Sequence, residues 1–503
     1  MLLAGRFRVA KPARRTAIVL LAALSSAPWV RAQSPTVPAS PPAGQPTPAA
    51  AAVGAGEFGQ LEGLIPDLMA KGGVPGLAIA VMKDGAVAWS RPFGVTDVGS
   101  GSPVTPETVF EAASLGKPVF AYAVVRLAER GDFDLDRPLP VYLPYADVRN
   151  DPRIRKITAR RVLCHTTGFP NWRRGGQLTI DFDPGDRFSY SGEGYVYLQK
   201  VIEAVTGMSV DDFVGREVFQ PLGMAASSYG WRDAYEASAA VGHDYLQQPT
   251  RKAKPTKPNV AATLHTTVGD YARFLAEMFH PRLLKSVTVE QMLKAQVELE
   301  KDLSWGLGWG LERASGRSYF WHWGDNGAFR GFAIGCRETG DGLVLLTNAE
   351  NGLSIAEPIV GAVIGGSHPV FGWLDVDRYD SPARTIRERI VRAGVANGDR
   401  SVLRTLDELE KTYPRVAFTE KLLNRIGYEL LEKKQVAAGI AVFEYNARLY
   451  PKAWNVYDSL AEAYAAGGDL RLAVQYYEKS LKLNPDNENA RVALRQIREA
   501  KEH

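Results

Sequence analysis

Cysteine is nearly absent: Cys164 and Cys336 are the only two in 503 residues. That excludes a disulfide-built scaffold. Whether the pair bridges or serves as two small buried apolar side chains is left open by the spacing. Histidine is scarce too, with seven scattered residues, no His-Glu-x-x-His and no Cys/His cluster. Neither a metal nor another cofactor is therefore expected. Beyond the N-terminus no stretch approaches the roughly 20 apolar residues that a membrane helix requires. A charge excess of one sign is missing as well, the formal net being +4.

Even that small excess sits in one place. Residues 1–32 carry Arg6, Arg8, Lys11, Arg14, Arg15 and Arg31 and no acid. Without those six charges the remainder stands at −2, which calls for neither nucleic acid nor an anionic membrane as partner. The basic start, the apolar run from Thr16 to Leu24 and the small-residue exit Val30-Arg31-Ala32 predict a signal peptide ending at 32. Its apolar run is too short to stay as a membrane span. Export to a bacterial periplasm or beyond follows as the expectation. Residues 33–56, rich in Pro and Ala, are expected to be a linker that buries no core.

Order is expected from residue 57. Leu61, Leu64, Ile65 and Leu68 recur at helical spacing. The stretch GLAIAVMKDGAVAWS sets two apolar runs around Lys83-Asp84-Gly85 and predicts a β-hairpin. KPVFAYAVVRLAER predicts a buried helix stopped by Gly131. Further helices are expected near 157–164, 195–206, 209–218 and 268–279, and strands within 303–348. Strands at both ends with helices between predict an α/β (α+β) domain whose sheet is completed by both ends of the chain segment. Past residue 380 the character changes. Pro451 and Pro485 lie 34 residues apart, and Ile426, Gly427 and Phe443 align with Leu460, Ala461 and Tyr477. That period resembles tetratricopeptide repeats, helix pairs that stack, with 385–413 as a degenerate preceding pair. The expected organisation is a domain over 57–370, a linker over 371–384 and all-α repeats over 385–503.

Among the serines, Ser114 alone is followed three residues later by lysine. At the start of a helix, Lys117 would share a face with Ser114. A serine hydroxyl is a weak nucleophile until a base takes its proton, and a lysine can do so once burial lowers its pKa. Taken alone, Ser-x-x-Lys is also what chance supplies in a chain this long.

The context narrows the choice. VPGLAIAVMKDGAVAWSRPFGV, TPETVFEAASLGKPVFAYAVVRLAERGDFDLDRPL, LCHTTGFP and PGDRFSYSGEGYVYLQKVIEAVTG occur in the order found in the serine β-lactamase and penicillin-binding-protein superfamily. Residues 57–370 resemble its class C β-lactamase and esterase-like branch. The resemblance implies an antiparallel sheet flanked by helices, with an additional all-helical part. It implies Ser114 as nucleophile, Lys117 as base and Tyr190, from the Tyr-x-Asn motif, as proton shuttle. His322-Trp323-Gly324 corresponds to the Lys-Thr-Gly or His-x-Gly motif. His322 would face Ser114, and Trp323 and Gly324 would contact substrate. The backbone N–H groups of Ser114 and Asp325 would hold the oxyanion. Gly192 departs from the family, whose asparagine there helps to hold the lysine and a substrate amide; Glu193 is a weaker candidate for that task. His165, in the LCHTTGFP loop, is read as structural.

With His322 in place of lysine and Gly192 in place of asparagine, the expected substrates are esters, small amides or D-amino-acid peptides. A β-lactamase is one alternative. A degraded scaffold working through its repeats is another, since stacked helix pairs offer a surface to a protein partner.

Overall fold

Asp84 and Gly85 both adopt positive φ, 50° and 74°. Two such residues make a tight turn whose twist suits the flanking strands, so the chain reverses at the expected hairpin. The structure is a computed structural model that describes residues 58–173 and 175–502. The expected signal peptide (1–32) and linker (33–56) lie outside the described residues. Those described fall into two compact units, one reaching Glu388 and the other beginning at Arg389.

In the first unit the hairpin strands are β1 (Gly76–Lys83) and β2 (Ala86–Asp97), followed by β3 (Ser102–Pro103), β4 (Phe110–Ala113) and β5 (Leu264–Thr266). The remaining strands are β6 (Val297–Glu300), β7 (Leu303–Trp305), β8 (Gly310–Ala314), β9 (Arg317–Asp325), β10 (Arg330–Cys336) and β11 (Asp341–Thr347). Nine of them form one sheet in the order β3-β2-β1-β11-β10-β9-β8-β7-β6, while β4 and β5 pair separately. β1 and β11 are antiparallel neighbours, Leu77 opposite Thr347, so both ends of the segment complete one sheet as expected.

Alternation along β1 sends side chains to two cores. Leu77, Ile79 and Val81 join Leu61, Ile65 and Leu68 of helix Phe58–Gly72 and Ile359, Val360 and Val363 of helix Ala356–Ile364. Ala78, Ala80 and Met82 face Phe274, Leu275 and Met278 of helix Val268–Phe279, and the same core holds Phe120 and Val124 of helix Gly116–Glu129. Burying each large apolar side chain stabilises by roughly 1.5–3 kcal/mol. The stretch between β4 and β5 carries helices, among them Ala159–Leu163 and Gly192–Thr206. Cys164 and Cys336 are both buried free thiols, which resolves the choice left open by sequence.

The second unit is all-helical. Helices Glu420–Glu432 and Val436–Leu449 form one pair, and Trp454–Ala466 and Leu470–Leu483 the next, each member starting 34 residues after its counterpart. Gly427 explains the period locally: a Cβ there would collide with the Phe443 ring, so glycine lets the two helices close. One repeat on, Ala461 and Tyr477 occupy the matching places in a shared core. Among the described residues no helix is long and apolar enough to cross a membrane.

Candidate active site

Ser114 stands where β4 turns into helix Gly116–Glu129. The turn is made by Ala113 in the left-handed region (φ 51°), a conformation that costs an alanine energy and is kept only where the surroundings enforce it. Lys117 N–H then donates to Ser114 C=O at 3.0 Å, closing the first turn and setting both side chains on one face. Lys117 Nζ lies 2.8 Å from Ser114 Oγ and 2.7 Å from Ala261 C=O. Its side chain is fully buried, and that burial holds its pKa well below the usual lysine value. Lys117 Nζ donates to both acceptors, and Ser114 Oγ itself donates to Ala261 C=O at 3.2 Å; once neutral, the amine has the lone pair needed to take the proton of that hydroxyl.

Tyr190 arrives from the other side. Its ring centre is 4.8 Å from Lys117 Nζ. Burial raises its pKa, with a smaller opposing pull from Ser114, so it is a neutral phenol and a proton donor. Its buried hydroxyl closes no hydrogen bond of good geometry in this state. The loop that carries it is held by His165, which takes φ 57°. His165 C=O accepts Ser189 N–H at 2.8 Å, its Nδ1 accepts Ser191 N–H at 3.0 Å, and its ring packs on Tyr190 at 4.2 Å. An imidazole that accepts at Nδ1 is neutral with its proton on Nε2. Burial first, then Lys117 and His322, lower its pKa well below the usual value.

His322 sits in β9 with its ring 6.2 Å from that of Tyr190. Burial and then Lys117 pull its pKa down to about 3, so it is a neutral imidazole, a hydrogen-bonding group and not a positive charge. Its Nδ1–H donates to Trp323 C=O at 2.7 Å, which leaves Nε2 as a buried acceptor. Trp323, half-buried, packs on Tyr190 at 4.8 Å. β8 pairs with β9 only as far as Trp321, opposite Gly310, so 322–325 has β10 along one side and no strand along the other. At Gly324, expected to contact substrate, the Ala112 carbonyl packs where a Cβ would stand, so this glycine also admits β4. At Gly192 the corresponding space holds Trp172. Glu193 is engaged elsewhere, paired with Arg173 at 2.8 Å.

The structure thus gathers Ser114, Lys117, Tyr190 and His322 around one spot. Sequence reasoning did not find the Ala261 carbonyl, which no residue type signals, nor the reach of His165 into the cluster. Its position beside Thr166-Thr167-Gly168 was the available clue. Among the described residues no group of three His, Cys, Asp or Glu side chains is placed to hold a metal ion.

Comparison with known proteins agrees with the fold. The family model described as Beta-lactamase matches residues 61–359, and the one described as Tetratricopeptide repeat matches 455–487. Penicillin-binding protein 4 of Amycolatopsis lactamdurans is 28% identical over 315 residues, 55% of this chain and 81% of that protein. The octameric penicillin-binding protein homologue from Pyrococcus abyssi superposes with a TM-score of 0.54 at 24% identity, over 67% of this chain and 82% of that one. D-alanine carboxypeptidase AmpC from Burkholderia cenocepacia gives 0.51 at 21%, over 59% and 96%. Those two likenesses speak for the fold alone.

Proposed function

Because the chain belongs to the Beta-lactamase family, we propose that it is an exported serine hydrolase. It acts through an acyl-enzyme at Ser114 on esters, small amides or D-amino-acid peptides. The observation that carries this reading is the 2.8 Å contact between Ser114 Oγ and a buried Lys117 amine whose pKa is depressed.

In the proposed cycle Ser114 Oγ attacks the substrate carbonyl as Lys117 Nζ takes its proton. The oxyanion is held by the N–H groups of Ser114 and Asp325, each worth about 3–4 kcal/mol of barrier when well placed. Support for Asp325 comes from the strand: Trp323 C=O is bonded by His322, which puts that peptide on the unpaired side of β9. Alternation carries the Asp325 peptide to the same side. Tyr190, neutral, passes the proton to the departing oxygen or nitrogen and is reprotonated from Lys117. Water then attacks the acyl carbon as Lys117 accepts its proton; the bond to Ser114 Oγ breaks as Lys117 returns that proton to Oγ, releasing the acyl group as a free acid. His322 contributes an uncharged acceptor beside this path.

The test is hydrolysis of p-nitrophenyl butyrate beside nitrocefin, with intact-mass detection of the adduct. The expected result is ester turnover and a covalent acyl group, both lost in Ser114→Ala. Undiminished turnover in that variant refutes the assignment, and preferential nitrocefin cleavage would make the protein a β-lactamase instead. Failure of a fluorophosphonate probe to label Ser114 would favour a scaffold acting through its repeats. Those repeats are proposed to bind a protein partner.

A further inference from the structure

Gly192 leaves no side chain where the family motif has its asparagine, and Trp172 has taken the space. Ser191 is extended (φ −135°, ψ 113°), so Tyr190 and residue 192 project to the same face. Ser191 turns the opposite way, its Oγ donating to Pro170 C=O and accepting from Gly194 N–H. The face shared by Tyr190 and residue 192 is the one on which Lys117 Nζ lies 4.8 Å from the Tyr190 ring centre. A Cβ on Gly192 would lie 2.7 Å from the Trp172 ring and 3.0 Å from Asn171 C=O.

The residues on either side of Trp172 are both tied down. On one side Asn171 Oδ1 accepts Gly192 N–H at 3.0 Å, and Asn171 C=O accepts the N–H groups of Gly192 and Glu193 at 3.0 and 3.1 Å. On the other, Arg173 forks onto the Glu193 carboxylate through Nε at 3.0 Å and Nη2 at 2.8 Å, and Glu193 is itself buried. Between these anchors Trp172 keeps 36% of its surface exposed. A large apolar ring that is partly open to solvent on the Tyr190 face, and carried by a backbone fixed on both sides, offers a surface for contact at reduced ordering cost.

We propose that Trp172 touches the substrate and selects its acyl arm, the arm that an asparagine at 192 would hold by its amide. The arm favoured is a flat or straight apolar group next to the ester carbonyl. An arm carrying an amide there is disfavoured, because indole surface displaces the amide's water and returns no hydrogen bond. This rests on the hydrolase reading above and names its substrate class.

The experiment uses the full-length protein and four p-nitrophenyl esters that share a leaving group: acetate, hexanoate, phenylacetate and N-acetylglycinate. The wild type is expected to give a higher kcat/KM for phenylacetate than for N-acetylglycinate. Trp172→Ala is expected to lower kcat/KM for phenylacetate by about tenfold or more, while acetate changes by less than about threefold. Retained acetate turnover shows that the variant is folded, and Trp172→Phe should keep most of the preference. A wild-type preference for N-acetylglycinate, or equal losses on every ester in Trp172→Ala, overturns the inference. Ser114-dependent turnover whose profile ignores Trp172 removes the specificity claim alone. Turnover surviving in Ser114→Ala removes the hydrolase reading beneath it.

Discussion

At the scale of single residues, the site depends on charges that burial has suppressed. Lys117 has no exposed surface and no carboxylate partner among its hydrogen bonds, so desolvation decides its protonation. Lys117→Met keeps the volume and removes the base; acylation should fall by about 10²–10⁴-fold with the fold retained, read by stopped-flow and circular dichroism. In the proposed mechanism the reactive form is the neutral amine, so kcat/KM should climb with pH through the lowered lysine pKa and reach its plateau below the usual lysine range. His322 is not the group behind that limb. With a pKa near 3 it should remain a single Nδ1–H tautomer from pH 5 to 8 by nitrogen NMR; a titration midpoint near 6.5 would contradict the buried placement. These charges were invisible in the sequence, which gave residue types at a spacing but not their solvent.

Elements explain how such residues are brought together. Ser114 and Lys117 come from one helical turn, legible as a three-residue spacing, whereas Tyr190 and His322 come from a loop and a strand far along the chain. Their convergence depends on β4 packing against β9 at a point where Gly324 has no side chain. Gly324→Ala should therefore push β4 off its seat. The expected outcome is about 1–3 kcal/mol of lost stability by denaturant titration, together with lower ester turnover. The hairpin at Asp84-Gly85, the helix ended by Gly131 and the 34-residue helix pairs were readable because turn chemistry and periodicity are local. Strand β4 and its pairing with β5 were not, since nothing near Phe110 reports that Thr266 lies opposite.

For the molecule as a whole, the buried imidazoles link stability to pH. In the unfolded chain His165 and His322 bind protons below about pH 6.5; in the folded state both pKa values are depressed, His322 to about 3. Their contribution is thus complete above pH 6.5 and is lost as pH falls from there towards the folded-state pKa values. Each imidazole should cost up to about 1.4 kcal/mol per pH unit over that window. Glu111 and Asp270, whose pKa values burial raises, act in the opposite sense, so the imidazole share is read by difference. Urea midpoints between pH 7.5 and 4.5 should fall less steeply in His322→Gln than in the wild type. An identical slope would show that His322 does not stay uncharged in the fold.

The amino-acid order by itself determined the Ser-x-x-Lys pair, the family resemblance over 57–370 and the repeat period, because each is written in spacings of a few to a few dozen residues. Only the tertiary structure decided that the lysine has lost its water, that an alanine carbonyl anchors it, and that Trp172 stands where a motif asparagine is missing. Burial and non-local contact are properties of the packed chain, and no short stretch of sequence carries them.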